Sequence, residues 1–189
     1  MATGRPNAAR GGGGVKEFPV TLADLPADRD AGVTQLFLGF HRQLVGFAML
    51  LVDDVATAED VVQDAFLALH RRWTWLRDPQ AAYEYLRIAV LNGSRSQLRR
   101  RRVRAAHAVS AVPDQPSAEA SAADRAERDA VWAGVAALPR RQREVLVLRY
   151  YMDQSEAEIA RMLEISAGSV KQHASRGIAA LTARLEAQT

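Results

Sequence analysis

The chain has 189 residues, with 25 basic against 22 acidic side chains and no cysteine. This length suits one domain or two small ones, and the missing thiols exclude disulfides, a cysteine nucleophile and thiolate metal sites. Four scattered histidines do not favour a zinc site, so we expect neither a metal nor a cofactor. No uninterrupted apolar stretch of membrane length is visible, which favours a cytoplasmic protein without membrane insertion.

The first half of the chain predicts a compact all-α unit over residues 28–104. Residues 1–27 mix glycine, proline and small side chains without periodicity, which predicts a disordered extension. Helical spacing then runs from near Asp30 to Asp53 and Asp54, and no strand-like alternation follows. A second helix is expected from about Thr57 to Trp73, since Thr57 with Asp60 resembles a variant capping box. A third begins near Gln80. The expected inward side chains are Val33, Leu36, Phe37, Phe40, Leu44, Phe47, Ala48 and Leu51, then Val61, Val62, Ala65, Phe66 and Leu69, then Tyr83, Leu86, Val90 and Leu91.

The second half predicts a flexible linker over residues 105–124 and another helical domain over residues 125–189. The linker has two prolines and many alanines and serines. A fourth helix should place Ala130, Val131, Val135 and Leu138 inward and stop at Pro139. A fifth should run from about Arg140 to Tyr151. Two helical domains joined by a flexible linker can bind separated sites on one partner.

Residues 155–185 carry the pattern of a helix-turn-helix. Ser155 followed by Glu158 is a capping box, and Ser166 can cap a second helix after a three-residue turn. The apolar positions are Ile159, Ala160, Met162 and Leu163 in one helix and Val170, Ala174, Ile178 and Leu181 in the other. The exposed donors of the second helix suit phosphates and base edges in a major groove: Ser169, Lys171, Gln172, His173 and Arg176. Two core helices of an ordinary bundle remain an alternative.

Six arginines between Arg95 and Arg104 suit a phosphate backbone, with a solvated helix end as the alternative. Asn92 and Ser96 lie one helical turn apart and could face the same nucleic-acid strand. Four aromatic side chains nearby are candidates for stacking on unpaired bases: Trp73, Trp75, Tyr83 and Tyr85. Taken singly, each of them is better explained by packing in the core or at an interface.

The second helix carries an acidic face of Glu59, Asp60, Gln63 and Asp64. From the residues alone we favour a solvated helix face over a protein-docking surface. Catalysis is not expected, because no glycine-rich phosphate loop lies between a strand and a helix. Asp53 and Asp54 also lack a histidine, lysine or metal ligand spaced to form a site.

Three segments together resemble the bacterial sigma-70 family: AEDVVQDAFLALHRRW, YLRIAVLNGSRSQLRRRR and ALPRRQREVLVLRYYMDQSEAEIARMLEISAGSVKQHASRGIAAL. The resemblance covers residues 30–186 and is specific to the small extracytoplasmic-function (group 4) sigma factors, which keep only regions 2 and 4. It is strongest with the actinobacterial SigE-type subset. It implies an RNA polymerase specificity subunit that binds core enzyme and opens promoters without doing bond chemistry.

The resemblance also implies roles for particular residues. The second helix would dock on the coiled coil of the polymerase beta-prime subunit, which reverses the preference stated above for its acidic face. The implied core-binding residues are Asp60, Gln63 and Asp64, with Phe66 or Leu67 as apolar support. The implied minus-10 residues are Tyr85, Asn92, Ser96, Arg99 and Arg100. The implied minus-35 residues are Arg149, Ser166, Ser169, Lys171, Gln172, His173 and Arg176.

Two positions depart from the family pattern. Tyr85 stands where tryptophan is frequent, and Ser96 stands where many relatives have aspartate, so a minus-10 preference cannot be copied from them. The implied partners are core polymerase, including its beta flap, duplex and single-stranded promoter DNA, and an anti-sigma factor. The alternatives are a stand-alone helix-turn-helix regulator, which usually dimerises, and an adaptor that binds only proteins.

Overall fold

The structure is a computed structural model that describes residues 22, 25–52, 54–75, 79–105 and 130–187. Every element in these ranges is helical, which confirms the all-α prediction. The predicted flexible linker lies outside the described residues except for Ala105, and so does most of the predicted disordered extension.

The first unit is a three-helix bundle. It consists of α1 (Arg29–Val52), α2 (Val55–Arg72), a short 3-10 turn (Trp73–Trp75) and α3 (Pro79–Ala105). Its core is apolar because the helical spacing brings large side chains from all three helices together. The most buried of them include Leu36, Phe40, Leu44, Phe47, Val62, Leu69, Leu86 and Leu91.

By length and composition, α1 is apolar enough to cross a membrane, a test that the core helix of a soluble protein also passes. Its buried side chains Leu36, Phe40, Leu44 and Phe47 belong to the core of the bundle. The apolar character of α1 is therefore explained by its packing against α2 and α3.

The start of α2 differs from the prediction. Asp54, not Thr57, is the N-cap: its side chain accepts a hydrogen bond from the Thr57 backbone N–H at 2.9 Å. The carboxylate of Asp54 satisfies a backbone donor that the first turn leaves unpaired. Thr57 is therefore the third residue of the helix.

One further prediction about the first unit, an inward Phe37, is wrong. Phe37 is 40% exposed, and its ring packs at the surface against His41 and edge-on against Phe66. Ala27, within the predicted disordered extension, has a defined partner, since its carbonyl accepts a hydrogen bond from Trp73 Nε1 at 3.2 Å. The chain before α1 thus packs along the end of α2.

The second unit contains α4 (residues 130–136), α5 (Arg140–Leu146), a π-helical turn (Val147–Tyr151), α6 (Glu156–Leu163) and α7 (Ala167–Glu186). Pro139 ends α4 and precedes α5, as predicted, because proline has no N–H to continue a helix. Two predicted inward side chains are exposed: Val131 on α4 and Ile178 on α7. Gly177, beside Ile178, is the buried position, where α7 lies close to Leu146 of α5.

Candidate nucleic-acid interface

The helix-turn-helix is built by local hydrogen bonds that the sequence specifies. Ser155 Oγ accepts from the Glu158 backbone N–H at 3.3 Å, and Glu158 Oε2 accepts from the Ser155 backbone N–H at 2.8 Å, so the predicted capping box is present. The side-chain and backbone hydrogen bonds from Ser155 hold the pKa of Glu158 below its ordinary value. The carboxylate is therefore charged at neutral pH and fixes the first turn of α6.

The turn between α6 and α7 requires one unusual backbone angle. Glu164 has φ of 54° in the left-handed region, and the Ile165 N–H donates to the Ala160 carbonyl at 3.0 Å. Ser166 then caps α7, its hydroxyl accepting from the Ser169 backbone N–H at 3.1 Å. These bonds fix where α7 begins and hence the direction in which its side chains point.

The exposed face of α7 carries the predicted minus-35 residues. Ser169, Gln172, His173 and Arg176 recur at three- and four-residue spacing, so they line one side of the helix. Gln172 and Arg176 are exposed, and Ser169 and His173 are half-buried. Val170 and Ala174 fill the opposite, buried side. The hydroxyls of Ser166 and Ser169 lie 2.9 Å apart and are already engaged with each other.

The two remaining cations among the predicted minus-35 residues, Lys171 on α7 and Arg149 on the π-helical turn, share one acidic neighbour. Lys171 Nζ lies 3.7 Å from Glu156 Oε2, and Arg149 Nη1 lies 3.3 Å from Glu156 Oε1. Both pairs are partly exposed, so a polyanion can compete for the cations at little cost. Arg149 also lies over the ring of Tyr150, at 6.0 Å from its centre.

The predicted minus-10 residues lie along a second polar face, on α3. Tyr85, Asn92, Ser96 and Arg99 fall on one stripe of the helix, with Arg100 beside it. Asn92, Arg99 and Arg100 are exposed, while Tyr85 and Ser96 are half-buried. The guanidinium of Arg72 lies 5.9 Å from the ring of Tyr85.

The arginine block divides into two groups with different surroundings. Arg99, Arg100, Arg101 and Arg102 are all exposed, but Arg101 also donates to the Val52 carbonyl at 3.1 Å and pairs with Asp54 at 3.3 Å. Partial burial raises the pKa of Asp54, but the hydrogen bonds from Thr57 and the charge of Arg101 outweigh it and lower that pKa overall.

Arg95 is also used inside the molecule. Its guanidinium makes two hydrogen bonds to the carboxylate of Glu144, at 2.8 and 2.9 Å. Concentrated positive charge predicted phosphate contacts for the whole block, but Arg95 and Arg101 have carboxylate partners within the chain. Glu144 was not recognised from the sequence.

The four aromatic candidates for base stacking differ in how exposed their side chains are. Trp75 is 82% exposed and Tyr85 half-buried, so both can be reached by a base. Tyr83 is buried, donates to Gln43 Oε1 at 2.8 Å and packs against Phe40. Tyr83 therefore follows the packing alternative and is not available for stacking. Trp73 is half-buried and holds the chain before α1.

The polar face of α2 is exposed as the helical spacing predicts. Glu59, Asp60, Gln63 and Asp64 all face solvent. Leu67 is 53% exposed beside them. Phe66 is only 5% exposed because its ring packs against Phe37 and the core, so it cannot supply apolar support to a partner. Among the described residues no group of acidic or histidine side chains could hold a metal ion.

The geometry defines a helical protein with a helix-turn-helix and a second, separate polar face on α3. Family models confirm the class: the chain matches Sigma-70 region 2 over residues 36–104 and Sigma-70, region 4 over residues 128–181.

Curated relatives agree with these matches. The RNA polymerase sigma-E factor of Streptomyces avermitilis is 32% identical over 145 residues, covering 77% of this chain and 80% of that protein. The ECF RNA polymerase sigma factor SigM of Mycobacterium tuberculosis is 34% identical over 159 residues, covering 84% and 79% respectively.

Solved structures support the same fold. The sigma factor RpoE, in complex with the anti-sigma factor NepR from Bartonella quintana, aligns with TM-score 0.68 and 22% identity, covering 81% of this chain and 96% of that one. CnrH, in complex with the cytosolic domain of CnrY, aligns with TM-score 0.64 and 24% identity, covering 87% and 100%. The chain belongs to the sigma-70 family and is an RNA polymerase sigma factor of the extracytoplasmic-function type.

Proposed function

We propose that this sigma factor binds core RNA polymerase through α2 and directs it to promoters through two DNA-binding faces, one on α3 and one on α7. In this proposal residues 28–104 form region 2 and residues 125–189 form region 4, with residues 1–27 as an extension and 105–124 as a linker. The carrying observation is that one chain presents two separate polar, cationic faces, each on a helix anchored by a buried apolar side.

The core-binding surface consists of Asp60, Gln63, Asp64 and Leu67. Exposed carboxylates around an exposed leucine fit a basic or amide-rich helix with an apolar stripe. We assign this surface to the beta-prime coiled coil of the polymerase, and region 4 to the beta flap. An anti-sigma factor would restrain the protein by covering either surface.

For the minus-10 element, Tyr85 and Trp75 offer aromatic faces to unpaired bases, and Asn92 and Ser96 offer hydrogen-bonding groups. Arg99 and Arg100 would bind the phosphates. The minus-35 element would be read as duplex DNA by Gln172, His173 and Arg176, with Ser169, Lys171, Arg149 and the backbone near Ser166 on phosphates. The protein acts by binding and strand separation in the cytoplasm, and the polymerase supplies the catalysis.

The test is size-exclusion co-elution of the full chain with bacterial core RNA polymerase, followed by transcription from a promoter library with the recovered complex. Co-elution with promoter-specific transcripts is the expected result, and it would give the promoter sequence. Failure to form a complex, with tight binding of the protein alone to duplex DNA, would instead favour a stand-alone regulator.

A further inference from the structure

A cavity of about 170 Å³ lies between α3 and α5, and arginines dominate the polar part of its lining. Four guanidinium groups stand against a single carboxylate, which leaves three positive charges in excess. The charged residues of the lining are Arg95, Arg102, Arg140, Arg143 and Glu144. A cleft lined mainly by one sign of charge raises the local concentration of ions of the opposite sign, so this cavity favours an anion.

The carboxylate of Glu144 does not cancel that excess. Arg95 makes two hydrogen bonds to it, at 2.8 and 2.9 Å, and Arg141 lies 2.9 Å from one of its oxygens. Burial raises the pKa of Glu144, but the hydrogen bonds and charges of the surrounding arginines outweigh it and lower that pKa overall. One carboxylate neutralises one guanidinium, so the other arginines of the lining keep their charge for a further anion.

Two of these arginines are available to a ligand. Arg102 is exposed and makes no ion pair with another described residue. Arg140 has only a distant contact with Glu144, at 3.7 Å, and its side chain is 45% exposed. Arg143 is held in the wall of the cavity, because its Nη1 donates to the Leu51 carbonyl at 3.1 Å. The positive charge of the cavity is therefore fixed on one side and adjustable on the other.

An unpaired hydroxyl also belongs to this lining. Ser94 is 1% exposed, and its Oγ has no hydrogen-bond partner among the described residues. A buried hydroxyl without a partner is unfavourable, and buried polar groups in proteins are nearly always satisfied. An oxyanion in the cavity would accept a hydrogen bond from Ser94, and this is the polar partner that the folded chain does not supply.

The size and spacing of these groups indicate which anion fits. The volume corresponds to about six water molecules at about 30 Å³ each. Ser94 and Arg102 are eight residues apart on α3, which is about 12 Å along the helix axis. The side chain of a helical arginine points back towards the N-terminus, which shortens that gap. A diphosphate has oxygens at both ends, so it can contact the hydroxyl and the guanidiniums together.

We propose that this cavity binds the diphosphate group of a small molecule, held by the Ser94 hydroxyl and by the guanidiniums of Arg102 and Arg140. A guanidinium presents two parallel N–H groups to phosphate oxygens, which suits it to this ligand. None of the three residues is among those assigned above to polymerase or promoter DNA, so the site is independent of the proposed function. The diphosphate can come from inorganic pyrophosphate or from a nucleoside diphosphate.

The experiment titrates the full-length protein by isothermal titration calorimetry, once with inorganic pyrophosphate and once with adenosine diphosphate. Sodium chloride keeps the ionic strength constant, because salt screens exposed charges. The variants are Ser94→Ala and Arg102→Ala. Their control is Arg71→Ala, which removes an exposed arginine from the last turn of α2, outside the lining of the cavity.

We expect one diphosphate to bind per chain, with an affinity about tenfold weaker in Ser94→Ala and in Arg102→Ala, since each loses a hydrogen bond to a charged group. Arg71→Ala should bind like the wild type. Without ligand, Ser94→Ala should unfold at a higher temperature than the wild type, because it removes the unpaired hydroxyl. The rise in unfolding temperature that pyrophosphate produces should be smaller in this variant.

The two titrations also distinguish the sources of the ligand. Tighter binding of adenosine diphosphate would support a nucleotide, and tighter binding of pyrophosphate would support the inorganic ion. The proposal is overturned if neither compound binds saturably, or if Ser94→Ala binds as tightly as the wild type. Equal weakening in all three variants would also overturn it, because the loss would then reflect overall charge and not this cavity.

Discussion

Asp64 is the residue through which the proposed polymerase contact is most directly tested. It lies exposed in the middle of α2, away from the buried side of that helix. Asp64→Arg places a positive charge where the proposal expects a basic partner, and like charges at an interface are unfavourable. We expect affinity for core polymerase to fall about tenfold or more, which is about 1.4 kcal/mol, while the circular dichroism spectrum stays unchanged.

A matched control for that change is Glu186→Arg, an exposed acid in the last turn of α7. It reverses the same kind of charge at a helix end where a cation is favourable. Equal loss of affinity in both variants, or in neither, would remove the assignment of the α2 face to polymerase.

Ser155 shows how one side chain determines where an element begins. Its hydroxyl satisfies the Glu158 N–H and its own N–H is satisfied by Glu158. Ser155→Ala should lower the free energy of unfolding by about 1 kcal/mol, measured by urea denaturation at neutral pH. Ser175→Ala, an exposed serine in the interior of α7, should have little effect by comparison.

The effect of Ser155→Ala should also depend on pH. The pKa of Glu158 is lowered in the folded protein, so its contribution is present above the unfolded glutamate pKa of about 4.3 and is lost as pH falls through the folded value. The difference in unfolding free energy between wild type and variant should therefore shrink in acid. A difference that stays constant down to the acid transition would show that Glu158 takes no part in the cap.

At the scale of the element, α7 should read the minus-35 sequence through its cations. Lys171 and Arg176 are exposed, and of the two only Lys171 has an acidic neighbour among the described residues, at 3.7 Å. Replacing both with alanine should reduce transcription from minus-35-dependent promoters by about tenfold or more. Each lost DNA contact should weaken the binding free energy by about 1 kcal/mol or more. The double variant should still form the polymerase complex.

The control for α7 is Arg184→Ala, which removes an exposed arginine from the last turn of the same helix. It should leave transcription near the wild-type level. If the double variant transcribes every promoter equally to wild type, the reading face lies elsewhere on α7.

The contact between α2 and α3 depends on the missing side chain of Gly93. A Cβ at that position would lie 2.9 Å from Val61 Cγ1. Gly93→Ala should therefore destabilise the protein by about 1–3 kcal/mol, and adding Val61→Ala should cost less than the sum of the two single changes. Gly168→Ala, where the nearest atom would be Ser166 Oγ at 3.8 Å, is the matched control. If the losses of unfolding free energy, measured by urea denaturation, are strictly additive, there is no steric clash between the two positions.

Features that depend on residues a few positions apart could be predicted from the sequence. Features that depend on packing between helices could not. The Ser155 and Ser166 caps follow from residues three positions apart, and the structure contains both. Periodicity also placed Phe66 inward correctly, yet the resemblance then assigned it to a partner surface, which its packing against Phe37 contradicts. Ile178 was misplaced because Gly177, with no side chain to count in the pattern, is what lets α7 approach α5.

At the scale of the whole molecule, the contact between the two units was invisible in the sequence. Arg95 and Glu144 are 49 positions apart, and each sits among other charges that suggest a solvated surface. Sequence spacing predicts which side chains share a helix face, but it carries no information about which face of another domain will meet them. The roles of the exposed residues on α2, α3 and α7 stay predictions until they are tested with polymerase and promoter DNA.

If the units stabilise each other, they should unfold together. The chain has three tryptophans, of which Trp73 and Trp75 lie in the first unit and Trp132 in α4. In a Trp132→Phe background, fluorescence reports only the first unit, while circular dichroism reports all helices. Coincident urea transitions by the two probes are expected, since coupled units behave as one cooperative system.

Adding Gly46→Ala to this background should bring the two transitions apart, because the added Cβ would collide with the Tyr151 hydroxyl and weaken one of the contacts that couple the units. Adding Gly39→Ala instead should leave them coincident. Probes that already disagree in the Trp132→Phe protein would show that the interface does not couple the unfolding of the two units. In that case the attraction between Arg95 and Glu144 would have to be cancelled by the free-energy cost of removing both charges from water.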